Sequence, residues 1–203
     1  MTSTAFLFPG QGSQSVGMLN DMGESYPVIK QTFAYASTIL DYDLWNVCAQ
    51  GPEERLNATE VTQPAMLVAD IALWRAWCEA SDLRPGMVAG HSLGEYSALV
   101  CANSLEFNDA LFLLFERGKS MQEAVPVGKG KMIAVLGSKI EELNYLIKEI
   151  KIKGVCEIAN DNAEGQTIVS GDVESVNELK NILKDKKKKF IPLNVSAPFH
   201  CSL

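Results

Sequence analysis

Histidine is scarce in this sequence: only His91 and His200 occur among 203 residues, so a reaction that needs an imidazole base has two candidates. The five cysteines (Cys48, Cys78, Cys101, Cys156 and Cys201) are odd in number, widely spaced and never in a C-x-x-C pair. That excludes a disulfide framework and a zinc ribbon, and leaves free, buried thiols. No cluster of metal ligands or redox motif is present, so no metal or redox cofactor is expected. Basic charge is not in excess either: the formal net charge is −7, which argues against nonspecific binding to nucleic acid or anionic lipid. The longest wholly apolar run, Ala110 to Phe115, is far below the roughly 20 residues of a membrane span. The first residues, Met1-Thr-Ser-Thr-Ala-Phe6, lack the basic start of a secretory signal. These absences predict a soluble cytoplasmic protein.

What remains is ordinary globular composition, with 47% hydrophobic and 21% charged residues and a length that fits one large domain or two small ones. Residues 1–128 are strongly acidic, whereas residues 129–203 carry a slight basic excess. The change falls at Pro126-Val-Gly-Lys-Gly-Lys131, a Pro/Gly stretch of the kind that links domains. After it, a short apolar run at Met132–Leu136 predicts a strand. Ser138 and Glu141 have the spacing of a capping box before a helix whose apolar face holds Ile140, Leu143, Leu146, Ile147 and Ile150. Strands are expected at Val155–Ala159 and Thr167–Ser170, around a turn at Asn160–Gly165. A helix bearing Val173, Val176, Leu179, Ile182 and Leu183 follows, then a strand at Phe190–Val195. The order β-α-β-β-α-β is that of a ferredoxin-like unit. The first part alternates strands at Thr4–Phe8 and Gly86–Ala89 with helices at Pro27–Leu40, Ala65–Ala80 (Thr62 as its N-cap) and Asn108–Ala124. That pattern predicts an α/β sheet with parallel pairing.

Gly90-His-Ser-Leu-Gly94 is a G-x-S-x-G pentapeptide between an apolar strand and a helical stretch, Glu95–Cys101. In that context the two glycines permit a cramped strand-to-helix turn that exposes the hydroxyl of Ser92, and the amide of Leu93 points toward an oxygen bound there. The other reading is a plain tight turn. A serine nucleophile needs a base. His91, inside the turn, is expected to pack or hydrogen-bond beneath it, which leaves His200 in Ser196-Ala-Pro-Phe-His200 as base or as a structural histidine. Phe8-Pro-Gly-Gln-Gly-Ser-Gln14 follows a strand and fits neither common nucleotide loop: Ser15 stands where a dinucleotide loop needs its third glycine, and Met18-Leu19 stand where a P-loop needs Lys and Ser/Thr. It is a simple Pro-Gly turn, or it supplies the amide of Gln11 as a second oxyanion donor. Arg117 ends an apolar helical segment. It either reaches out to solvent or points inward, and an inward arginine implies an anionic substrate held through two hydrogen bonds. Lys184 and Lys186–Lys189 form either a solvated helix end or a landing area for an acidic partner.

Taken together, Phe8–Gln14, Gly90-His-Ser-Leu-Gly-Glu-Tyr-Ser-Ala-Leu99, Arg117-Gly-Lys-Ser-Met-Gln122 and Phe199-His200 resemble the malonyl-CoA:acyl-carrier-protein transacylases of bacterial type II fatty acid synthesis, in order and along the whole chain. The resemblance implies an α/β-hydrolase-like large subdomain with a parallel sheet and an inserted ferredoxin-like small one. Residues 1–128 would be the first part of the large subdomain, 129–196 the small one and 197–203 the return to the large one. It further implies Ser92 as nucleophile, His200 as its base, Arg117 for the free carboxylate of malonyl, and the amides of Gln11 and Leu93 as oxyanion hole. Phe199 matches the form of its motif associated with malonyl over bulkier units. The implied reaction is ping-pong: malonyl passes from malonyl-CoA to Ser92 and then to the phosphopantetheine thiol of acyl carrier protein, without a cofactor. The expected partners are malonyl-CoA and acyl carrier protein, the latter on a surface drawing on Lys119, Lys129, Lys131 or the lysines at 184–189; nucleic acid and membrane are excluded, and a monomer is expected. The family is about a hundred residues longer, and its remainder would finish the large sheet and supply a carbonyl that orients the histidine. A chain of 203 residues is therefore expected to expose apolar surface on its large part and to have weak activity. A serine hydrolase of lipid or thioester substrates and a non-catalytic binding module are the competing readings.

Overall fold

The computed structural model describes residues 4–126, 128–193, 195 and 197–203. Met1–Ser3, Val127 of the expected linker, Asn194 of the expected last strand and Ser196 of the His200 motif lie outside them. The chain is α/β and divides into two compact units, Met1–Lys119 and Ser120–Leu203. The division falls inside a helix, a few residues before the Pro/Gly stretch, because Met121 at that helix's end packs into the second unit beside Met132 and Phe199.

In the first unit, β1 (Ala5–Phe8) and β2 (Met87–Gly90) pair in parallel, with Phe8 opposite Gly90. The helices are α1 (Asn20–Ser25), α2 (Pro27–Leu40), α3 (Leu44–Gln50), α4 (Glu53–Leu56), α5 (Thr59–Ala80), α6 (Gly94–Cys101) and α7 (Phe107–Ala124). Helix α2 occupies its expected range, with Pro27 in the first turn, where a missing N–H costs nothing. Helices α1, α3 and α4 were not expected: each is too short to display a helical period, although Asp43 caps α3 by accepting from the Asn46 N–H at 2.9 Å.

Helix α5 begins at Thr59, six residues before its expected start. Thr62 is not its N-cap: the hydroxyl donates to the carbonyls of Leu56 and Ala58, so it seals the preceding turn while Pro64 rides inside the helix. Val68, Leu67 and Ile71 of α5 are buried among Ile29 and Phe33 of α2, Leu44 of α3 and Leu111 and Leu114 of α7. Every residue from Val61 to Ala72 is buried, so this stretch of α5 is the centre of the unit's core. Parallel strands are usually covered on both faces, yet here Leu7 is 76% and Met87 60% exposed. A cavity of about 510 Å³ opens beside them, lined by Phe6, Phe8, Met22, Tyr26, Trp74 and Trp77.

The second unit contains β3 (Gly130–Leu136), α8 (Ile140–Lys148), β4 (Cys156–Ala163), β5 (Gln166–Asp172), α9 (Val173–Asp185) and β6 (Lys189–Pro192). The strands lie in the order β4-β5-β3-β6, all neighbours antiparallel, which is the ferredoxin-like arrangement. Alternation sorts the central strand: Ile133 and Val135 face Leu143, Leu146, Val176, Leu179 and Leu183 of the two helices, while Met132 and Ala134 face Ala197 and Phe199.

Two local expectations are corrected. The capping box at Ser138 does not form: the N-cap is Lys139, without a side-chain cap, because the chain leaves β3 through Gly137 at φ 72° and carries Ser138 inside, 2% exposed. Strand β4 runs on through Asn160-Asp-Asn-Ala163, polar residues expected in a turn. Pairing with β5 keeps them extended across two register shifts, and the turn is reduced to Glu164-Gly165.

Candidate active site

The strand-to-helix turn forms because glycine occupies the two positions where no side chain fits. A Cβ on Gly90 would stand 2.0 Å from the backbone of Gly94, and one on Gly94 would stand 2.4 Å from the carbonyl oxygen of Phe8. The end of β2, the start of α6 and the end of β1 are therefore in backbone contact. Between the glycines the chain reverses, with Ser92 at φ 54°, a left-handed conformation that non-glycine residues seldom adopt. The Gly94 N–H donates to His91 O at 3.0 Å and the Glu95 N–H to Ser92 O at 3.2 Å, which locks the reversal. Leu93, fully buried, anchors it from below, and its N–H belongs to the first turn of α6, where amides lack helical acceptors. His91 does not pack beneath the turn: it is exposed and lies over Gly10, where a Cβ would come within 2.6 Å of its Nδ1.

Arg117, on α7, turns inward. Its Nη2 donates to Ser92 Oγ at 3.0 Å and its Nη1 to Gln63 Oε1. Helix α7 comes this close to α5 at Gly118, where a Cβ would sit 2.7 Å from the carbonyl oxygen of Thr59. Burial pulls the guanidinium below its ordinary pKa, and the Tyr96 phenol opposes that shift. Gln63, 1% exposed, also donates through Nε2 to Gln11 Oε1 at 3.1 Å, and Gln11 Nε2 donates to Thr59 Oγ1 at 3.4 Å. Ser92, Leu93, Arg117 and Gln11 are thus assembled in the first unit. His200 belongs to the second unit. There it is exposed, at φ 57°, in a segment fastened by the Phe199 N–H donating to Met132 Sδ at 3.3 Å and by Ser202 donating to Glu157. Among the described residues no group of three or more His, Cys, Asp or Glu could hold a metal ion, and no helix is long and apolar enough to cross a membrane.

Sequence reasoning missed Gln63, which lies before the expected helix start at Ala65 and shows no apolar period of its own. It also missed Asp70. This carboxylate of α5 is 6% exposed and accepts from Ser97 Oγ of α6 at 2.7 Å. Burial pushes its pKa up to about 7, against a smaller downward pull from Ser97. A carboxyl raised on folding contributes stability below its unfolded pKa and loses it as pH rises through the folded one. The folded protein is expected to weaken between about pH 4 and pH 7, and Asp70→Asn to remove that slope, adding about 2–4 kcal/mol at pH 8. Urea unfolding at pH 5 and pH 8 checks this; an unchanged slope in the variant contradicts it.

Residues 5–201 match the acyl transferase domain family. The chain belongs to that family. Among its relatives are the malonyl CoA-acyl carrier protein transacylases of Escherichia coli strain K12, 49% identical over 204 residues, and of Bacillus subtilis, 42% identical over 205. Both alignments cover 100% of this chain, and 66% and 64% of the relatives, so this acyl transferase chain spans just under two thirds of their length. Among solved structures, a malonyl-transacylase in complex with its type II PKS acyl-carrier protein superposes with a TM-score of 0.95 at 46% identity, over 99% of this chain and 65% of the other. The malonyl CoA-acyl carrier protein transacylase of Coxiella burnetii gives 0.95 at 45% identity, over 99% and 64%. The α/β fold with a parallel sheet in one part and a ferredoxin-like antiparallel sheet in the other agrees with the α/β-hydrolase-like and ferredoxin-like pair that the resemblance implied.

Proposed function

We propose that the protein transfers malonyl from malonyl-CoA to the phosphopantetheine thiol of acyl carrier protein, in the cytoplasm and without a cofactor, supplying malonyl-acyl carrier protein for fatty acid biosynthesis. The observation that carries this reading is the guanidinium of Arg117 on the hydroxyl of Ser92. A hydrolase of neutral acyl chains has no use for a half-buried cation at its nucleophile, whereas an acyl group that ends in a carboxylate needs one.

In the proposed reaction Ser92 Oγ attacks the thioester carbonyl and gives its proton to His200. The C–S bond breaks, and the proton passes to the departing coenzyme A thiolate. The ester then yields to the carrier's thiol in the reverse sequence, so two thiols that never meet exchange one acyl group. The amides of Gln11 and Leu93 would hold the tetrahedral oxyanion, a role in which one lost donor typically costs about 3 kcal/mol. The relatives' names and the neighbour solved with its acyl carrier protein support the choice of donor and acceptor. The test is mass spectrometry after exposure to malonyl-CoA: a malonyl adduct on the Ser92 peptide is expected, and its absence overturns the reading.

For the carrier protein we propose a docking surface on the second unit. The lysine run is not uniform: Lys186 pairs with Glu149 at 3.5 Å and Lys188 with Glu142 at 2.7 Å. Lys184 instead joins Lys180 on one face of α9, and Lys131 reaches Asn177 on that face, Nζ to Oδ1, at 3.0 Å. Partial desolvation and then the charges of Lys131 and Lys184 pull Lys180 below its ordinary pKa, so the three cations repel one another. An acidic partner relieves that repulsion. The double variant Lys131→Glu, Lys184→Glu is expected to weaken carrier binding about tenfold or more at low ionic strength, an effect that shrinks with added salt, while Lys188→Glu does less. Titration calorimetry measures it, and equal affinities count against this surface.

A further inference from the structure

We infer that Gln63 is a positioning residue that sets the specificity of this site by holding Arg117 with a neutral acceptor, an inference that rests on the function proposed above. Arginine can only donate, so the Gln63 amide must turn its oxygen to Arg117 and its NH2 away. That NH2 meets Gln11 Oε1 at 3.1 Å, which turns the Gln11 NH2 to Thr59 Oγ1 at 3.4 Å. One cation thereby fixes the rotation of two amide side chains. Reversing either amide would set N–H against N–H in a buried place. The chain of contacts runs from the arginine, through Gln63, to the loop that carries the proposed oxyanion donor Gln11.

The choice of glutamine has a chemical consequence. A carboxylate at position 63 would satisfy the same donor, but it would neutralise the guanidinium and compete with the acyl carboxylate for it. An apolar residue would release the guanidinium from its fixed rotation. Glutamine occupies Nη1 and leaves the positive charge intact, with Nη2 directed at Ser92 Oγ, where the acyl group attaches. The device therefore acts on acyl groups that bear a charge and is indifferent to those that do not.

The test compares malonyl-CoA and acetyl-CoA as donors to Ser92 in the wild type, Gln63→Glu and Gln63→Met. The glutamate variant is expected to raise the KM for malonyl-CoA about 100-fold, and the methionine variant about tenfold. In both, the KM for acetyl-CoA should change less than threefold, and any loss of kcat passed on through the Gln11 loop falls on the two substrates alike, so that the malonyl preference drops with the KM. A merely structural role would lower both substrates' kcat together and leave that preference unchanged. Should Gln63→Glu fail to fold, Gln63→Met, equal in length and uncharged, decides alone. A folded variant that keeps the wild-type preference for malonyl overturns the inference and leaves the proposed function standing. A wild type that takes no malonyl overturns both.

Discussion

Ser92→Ala is expected to reduce malonyl transfer by at least about 10⁴-fold and to abolish the adduct on its peptide, with little effect on folding. The two halves of this expectation have separate causes. The chemistry disappears because no other hydroxyl shares the reversal at φ 54° and the contact with Arg117 Nη2. The fold survives because alanine meets the same left-handed strain as serine and removes only an oxygen. Gly90→Ala gives the opposite profile: its Cβ would stand 2.0 Å from the Gly94 backbone, so β2 and α6 would have to part. Release of coenzyme A and thermal unfolding, measured on both variants, separate the two effects. A Ser92→Ala protein that retains a tenth of the wild-type rate contradicts the assignment of Ser92 as nucleophile.

The strand-turn-helix around Ser92 was legible because its sequence signal is local, even though Gly94 also meets the distant carbonyl of Phe8. Two glycines, an apolar strand before and a helix after lie within about fifteen residues. The ferredoxin-like order was legible for a related reason: each element shows its own period, and the apolar faces of α8 and α9 match those of the strands they cover. The start of α5 was not. Thr59 and Gln63 are polar, yet helical and buried, and their side-chain partners lie far along the chain: Gln11 is 48 residues from Thr59, and Gln11 and Arg117 are 52 and 54 residues from Gln63. Periodicity registers apolar residues and cannot register a polar residue whose burial depends on a distant donor. The extended Asn160–Ala163 segment illustrates the same limit, since its strand conformation comes from pairing with β5 rather than from its own composition. The direction of Arg117 was also undecidable, because the arginine lies inside α7 rather than at its end, and whether it turns inward depends on Gly118 letting α7 settle on α5.

Arg117→Ala is expected to lower the preference for malonyl over acetyl by about 100-fold or more, chiefly through the KM for malonyl-CoA, while acetyl transfer falls little or rises. On the proposed function the acyl carboxylate would gain two parallel charge-assisted hydrogen bonds from the guanidinium in a half-buried place, and alanine would leave it desolvated without a partner. For acetyl the sign reverses, because a wild-type site that binds acetyl keeps a cation facing a methyl group. The contact with Ser92 Oγ adds a second consequence. Nη2 donates to the serine hydroxyl, so in the proposed reaction a carboxylate that drew the guanidinium onto itself would also free that oxygen for attack. Arg117→Lys tests the geometry apart from the charge: an ammonium keeps the charge but not the planar fork, and it cannot meet Gln63 and a carboxylate in the same fixed orientation. An intermediate preference, with the KM for malonyl-CoA raised about tenfold, is expected for it. Equal losses for malonyl and acetyl in Arg117→Ala would remove the arginine from acyl recognition. They would leave it as a support for the turn, and the half-buried cation beside the nucleophile would then no longer argue for a carboxylated substrate.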